Sequence, residues 1–71
     1  MERFIELFKE ATDIEQEMQP TDEFRKYEDW DSLAYLSVIA MMDEEYGVQI
    51  EEAEFKQLRT IQDLFNAVTK R

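Results

Sequence analysis

The chain contains neither cysteine nor histidine. Their absence removes disulfides, thiolate nucleophiles, zinc sites of the usual ligand types and the commonest general base. With 71 residues there is no room for a sizeable enclosed active site either, so catalysis by this chain alone is not expected. The missing cysteines fit a reducing compartment. No apolar run is long enough to span a bilayer, and Met1-Glu2-Arg3-Phe4 mixes acid and base into its apolar start, unlike a signal peptide. The expectation is one complete cytoplasmic domain over residues 1–71, without membrane insertion.

Basic residues are scarce as well. Eight of them face eighteen acids, for a formal charge of −10, which repels DNA, RNA and anionic lipid and favours partners with basic surfaces. The same charge also keeps a small helical protein soluble. An acidic disordered chain would carry fewer than the nine aromatics present here, so the chain is expected to fold.

One glycine and one proline, with apolar residues three and four apart, point to an all-α protein. The spacing of Phe4, Leu7, Phe8, Ala11, Ile14 and Met18 predicts a first helix from about Glu2 to Met18, ended by Pro20. From Gln19 to Trp30 the periodicity lapses, and a long loop with a short helical turn is expected to dip Phe24, Tyr27 and Trp30 into the core. A second helix should start at Asp31 or Ser32 and stop at Tyr46, where Gly47 suits a left-handed cap. Val48-Gln49-Ile50 reads as an extended connector, and a short helical turn with Phe55 and Leu58 follows. Thr60 and Asp63 form the pattern of a capping box for a last helix burying Ile61, Leu64, Phe65 and Val68. The sum is a small four-helix bundle, three longer helices and one short, with a long loop between the first two.

At 100° per residue the second helix shows two apolar faces. Tyr35, Val38, Ile39, Met42 and Tyr46 form a core stripe, whereas Leu33, Leu36 and Ala40 lie opposite, beside Ser37 and ahead of Asp43 and Glu44. Either the long loop covers these leucines, or they form an exposed docking strip rimmed by acids. Tyr46, Ile50, Phe55, Ile61, Leu64 and Phe65 read as core packing in preference to a ligand cleft. Ser32 is ambiguous in its own way. The unpaired N–H groups and dipole of a helix start suit an attached phosphate, but Ser32 or Asp31 could equally serve as a simple cap.

Asp31-Ser32-Leu33, the acidic run Asp43-Glu44-Glu45, then Tyr46-Gly47-Val48 and Ile50, with Thr60-Ile61-Gln62-Asp63-Leu64 opening the last helix, resemble the acyl carrier protein family over essentially the whole chain. The resemblance implies a phosphoprotein in which Ser32 carries 4′-phosphopantetheine, transferred from coenzyme A by a phosphopantetheinyl transferase. Asp31 would hold a metal ion or orient the loop in that transferase complex. Acyl or aminoacyl groups would ride on the arm as thioesters, for fatty acid, polyketide or other secondary-metabolite biosynthesis. Loading and transfer enzymes with basic docking surfaces would meet Leu33, Leu36, Ser37, Ala40, Asp43 and Glu44.

Three departures favour a specialised carrier: Asp29-Trp30 where the family has glycine and a small residue, Ser37 where it tends to have glutamate, and Ala40 where it often has Leu or Met. The alternative from another class is an unmodified helical adaptor using the same strip. A monomer is expected, because acids around an apolar strip repel a second copy.

Overall fold

The computed structural model describes residues 1–69. Four helices occur in the order α1 (Glu2–Thr12), α2 (Ser32–Tyr46), α3 (Glu52–Phe55) and α4 (Ile61–Thr69), with a 3₁₀ turn at Phe24–Lys26 in the loop between α1 and α2. This is the expected all-α bundle, and no strand is present among the described residues.

Helix α1 is shorter than its periodicity predicts. It closes at Thr12 because Asp13 enters the left-handed region, at φ 58° and ψ 26°, where its N–H donates to Lys9 O. Aspartate is one of the few residues other than glycine that visits this region readily. The Thr12 hydroxyl tightens the turn by donating to Phe8 O at 2.8 Å and accepting from Ile14 N–H at 3.3 Å. The predicted stripe is buried nonetheless: Ile14 and Met18 reach the core from irregular backbone, alongside Phe4, Leu7 and Phe8 on the helix. Pro20 therefore does not end α1. Its carbonyl instead accepts the Gln62 N–H at 2.9 Å, at the start of α4.

The loop is tied down at both ends of its 3₁₀ turn. Asp22 accepts the Gln19 N–H and the Tyr27 hydroxyl, each at 2.9 Å, and its carbonyl accepts the Ile61 N–H at 3.1 Å. Burial, reinforced by the Asp22 carboxylate, pushes the Tyr27 hydroxyl well above its ordinary pKa and keeps it a hydrogen-bond donor. Phe24 is fully buried, in edge contact with Phe8, Trp30 and Phe55 at centroid separations of 6.2, 4.9 and 5.5 Å. Such pairs add to the apolar burial itself.

Helix α2 packs mainly on α1 and less on α4. Its buried centre is Ala34, Val38, Met41 and Met42, while Tyr35, Ile39 and Tyr46 are half-buried against the core. The core face is thus turned toward the Ala34–Met41 side relative to the predicted stripe, and α1 is the helix packed most extensively on α2. At the far end Gly47 adopts φ 67°, its N–H reaches Asp43 O at 2.9 Å and Val48 N–H reaches Met42 O at 3.3 Å. The Gly47 bond to Asp43 O, made from a left-handed glycine, is the αL form of helix stop. Ile50, Phe55, Ile61, Leu64 and Val68 complete the buried core, with Phe65 packed on its edge.

The capping box of α4 forms as its sequence suggests. Thr60 Oγ1 accepts the Asp63 N–H at 3.1 Å, and Asp63 Oδ2 accepts the N–H groups of Thr60 at 3.2 Å and Arg59 at 3.0 Å. The two backbone donors hold the Asp63 carboxyl below its ordinary value of 3.8. A carboxylate favoured in the native state contributes stability that is full above its unfolded pKa and is lost as pH falls through the lower native one. Thr60→Ala is accordingly expected to cost about 1 kcal/mol in urea unfolding at neutral pH. Asp63→Ala should cost a similar amount at neutral pH and flatten the decline of stability below about pH 4.

Candidate functional site

At the start of α2 the two candidate caps divide the work. Asp31 is the N-cap: its backbone is extended and its Oδ1 accepts the Ala34 N–H at 2.9 Å, while its carbonyl takes the Tyr35 N–H at 3.1 Å. Ser32 is the first helical residue, solvent-exposed, and its hydroxyl makes no hydrogen bond to a described residue. The capping explanation for Ser32 is thereby taken by its neighbour. What remains is an unengaged nucleophile-type hydroxyl held on rigid backbone at a helix N-terminus.

Leu33 and Leu36 are 72% and 58% exposed, the exposed large hydrophobic residues of the described chain. The loop does not cover them, because its aromatics are committed elsewhere, to Phe8 and Phe55. Ala40, Asp43 and Glu44 are exposed on the same side of α2, and Ser37 is half-buried. Ser37, Ala40 and Glu44 turn toward α1 and line a shallow groove of about 320 Å³ with Leu7, Ala11 and Met41. The six predicted contact residues therefore share one side of α2, split between an apolar ridge at its start and a groove further along.

On the other side of Ser32 lies a concavity of about 390 Å³ between the start of α2 and α3. Trp30, Tyr35 and Phe55 supply its aromatic wall, and Arg25, Glu52 and Lys56 supply charge. Arg25 was not singled out from the sequence. Its Nη1 donates to Leu58 O and its Nη2 to Phe55 O, the latter at 2.7 Å, so it caps the C-terminal end of α3. Its guanidinium carbon also sits 4.8 and 5.1 Å from the ring centres of Phe24 and Phe55. The sequence signal was available in principle, as a basic pair, Arg25-Lys26, inside an acidic aromatic loop.

The family model described as "Phosphopantetheine attachment site" matches residues 2–68. Acyl carrier proteins of Myxococcus xanthus and Micrococcus luteus are each 32% identical to this chain over 59 residues. Those alignments cover 82% of this chain, and 75% and 73% of the respective relatives.

The division of roles at the helix start has a measurable consequence in the unmodified chain. Asp31→Ala removes the cap and is expected to cost about 1 kcal/mol in urea unfolding. Ser32→Ala should stay within about 0.5 kcal/mol of the parent, as for other exposed substitutions.

Proposed function

The chain belongs to the acyl carrier protein family, and on that premise we propose that Ser32 is the residue that bears its arm and that the exposed side of α2 guides delivery. The chain is a carrier and not a catalyst. A 4′-phosphopantetheine joined to it from coenzyme A holds acyl or aminoacyl intermediates as thioesters for partner enzymes.

The observation that carries the assignment to Ser32 is its free, exposed hydroxyl beside a helix start already capped by Asp31. The fit to a phosphodiester is chemical. The helix N-terminus favours negative charge there, the concavity alongside balances Arg25 and Lys56 against Asp31 and Glu52, and it leaves room for the arm. No described side chain accepts a hydrogen bond from Ser32, so activation of the hydroxyl falls to the phosphopantetheinyl transferase. Asp31 fixes the backbone of the attachment site through Ala34 N–H, and its second carboxylate oxygen is available to a metal ion in the transferase complex.

Partner enzymes with basic surfaces meet Leu33, Leu36, Ser37, Ala40, Asp43 and Glu44. The leucines supply apolar burial and the acids supply steering and orientation. Ala40 and Ser37 leave the middle of the strip low, so a partner side chain enters the groove against α1 where a bulkier residue would fill it. Tethering raises the concentration of cargo at a docked active site without requiring tight binding. The whole chain, 1–71, acts as one such domain, monomeric and cytoplasmic. No described helix is long and apolar enough to cross a membrane.

Intact mass after incubation with coenzyme A, magnesium and a broad-specificity phosphopantetheinyl transferase tests the assignment. The parent is expected to gain one phosphopantetheine and Ser32→Ala none. A folded parent that gains nothing with several transferases would point instead to an unmodified adaptor. Leu36→Asp should leave the fold intact and lower the transferase kcat/KM about tenfold, the scale of losing one contact residue worth roughly 1.4 kcal/mol.

A further inference from the structure

The charge of this chain is segregated to a degree its composition does not require. A second concavity, of about 310 Å³, lies between the 3₁₀ turn and α3 and is lined by Glu23, Arg25, Lys26, Lys56 and Arg59. It gathers four of the eight basic residues of the sequence and one of the eighteen acids. The lining of this concavity is net positive among the described residues, even though Glu52 pairs with Lys56 and Asp63 lies near Arg59 at its edge. Arg25 and Lys56 also line the concavity beside Ser32, so the basic face is continuous with the attachment site.

We propose that this basic face is a second docking surface, distinct from the exposed side of α2, that receives an acidic, carboxylate-rich surface of a partner protein. Charge complementarity carries the choice of occupant: a basic surface that suits the α2 side would be repelled here, and an acidic one that suits this face would be repelled by the rest of the molecule. The cations are arranged to exchange partners at little cost. Lys26 pairs with Glu23 at 2.9 Å and Lys56 with Glu52 at 3.4 Å, both on exposed surface where such pairs contribute little to stability. Arg25 is held rigidly by two carbonyls, and a guanidinium has five N–H donors, so these bonds do not exhaust it. A partner seated here would lie against the mouth of the Ser32 concavity. Two classes of partner would then be sorted by the sign of their surface, each approaching the same attachment residue from a different side.

The inference concerns the polypeptide alone and can be tested without loading Ser32, so its failure and a failure of the carrier assignment are separately readable. The full chain, labelled with ¹⁵N, is titrated with a glutamate-rich decapeptide at low ionic strength, and amide shifts are followed. Shifts are expected at Arg25, Lys26, Lys56, Arg59 and their neighbours. Lys26→Gln/Arg59→Gln should weaken the peptide roughly fivefold, the order expected when two exposed charge pairs are lost. Those two side chains make no contact that the core depends on, and the variant's own spectrum reports whether it is folded. The double variant Lys26→Gln/Lys56→Gln provides an independent second test of the same loss. Shifts scattered over the surface, equal affinity in both variants, or the same shifts from a lysine-rich decapeptide would overturn the proposal. Inorganic phosphate matching the peptide at equal concentration would overturn it too, by showing a simple anion site in place of a docking face.

Discussion

Phe24 is the side chain on which the arrangement depends. It comes from the middle of a long loop, is fully buried, and touches Phe8 of α1, Phe55 of α3 and Trp30 at the entry to α2. Arg25, the next residue, closes the insertion from outside by stacking on Phe24 and Phe55 and bonding the carbonyls at the end of α3. A helix of four residues has almost no stability of its own. Here it is fixed by a loop that would otherwise need fixing itself. Because the loop spends its aromatics on this joint, nothing is left to cover Leu33 and Leu36. The exposure of Leu33 and Leu36 and the burial of Phe24 are thus two results of one packing choice.

Around Ser32 the fold keeps structural and functional tasks apart. Asp31 satisfies the helix start, Gly47 ends the helix, and Ala34, Val38, Met41 and Met42 hold it to the bundle. None of these duties falls on Ser32, Leu33 or Leu36.

The sequence disclosed most where one short-range rule acted alone. The cap at Asp31, the stop at Gly47 and the reciprocal box of Thr60 and Asp63 are each set by backbone chemistry within a few residues, and all three form. The two faces of α2 were legible from periodicity, as was the ambiguity over what covered the outer one. Helix α1 was overextended because Ile14 and Met18 keep helical spacing by coincidence of where the core lies, and the left-handed turn at Asp13 leaves no mark in a pattern of apolar residues. The rotation of the α2 core toward Ala34 and Met41 depends on where α1 packs, which no single segment encodes. The basic pair Arg25-Lys26 stands out in the loop, but the clamp it makes does not, because its acceptors, Phe55 O and Leu58 O, lie thirty and thirty-three residues away.

Trp30 is the sole tryptophan of the chain. Its ring lies nearly parallel to those of Phe8 and Phe55, at 6.0 and 6.4 Å, and it forms part of the wall of the concavity beside Ser32. It is half-buried, with one environment packed and the other open to whatever enters. The molecule thus carries a single tryptophan, two positions from Ser32, whose emission can be excited apart from that of the three tyrosines. Its emission reports occupancy of that concavity and integrity of the aromatic joint from one unlabelled sample.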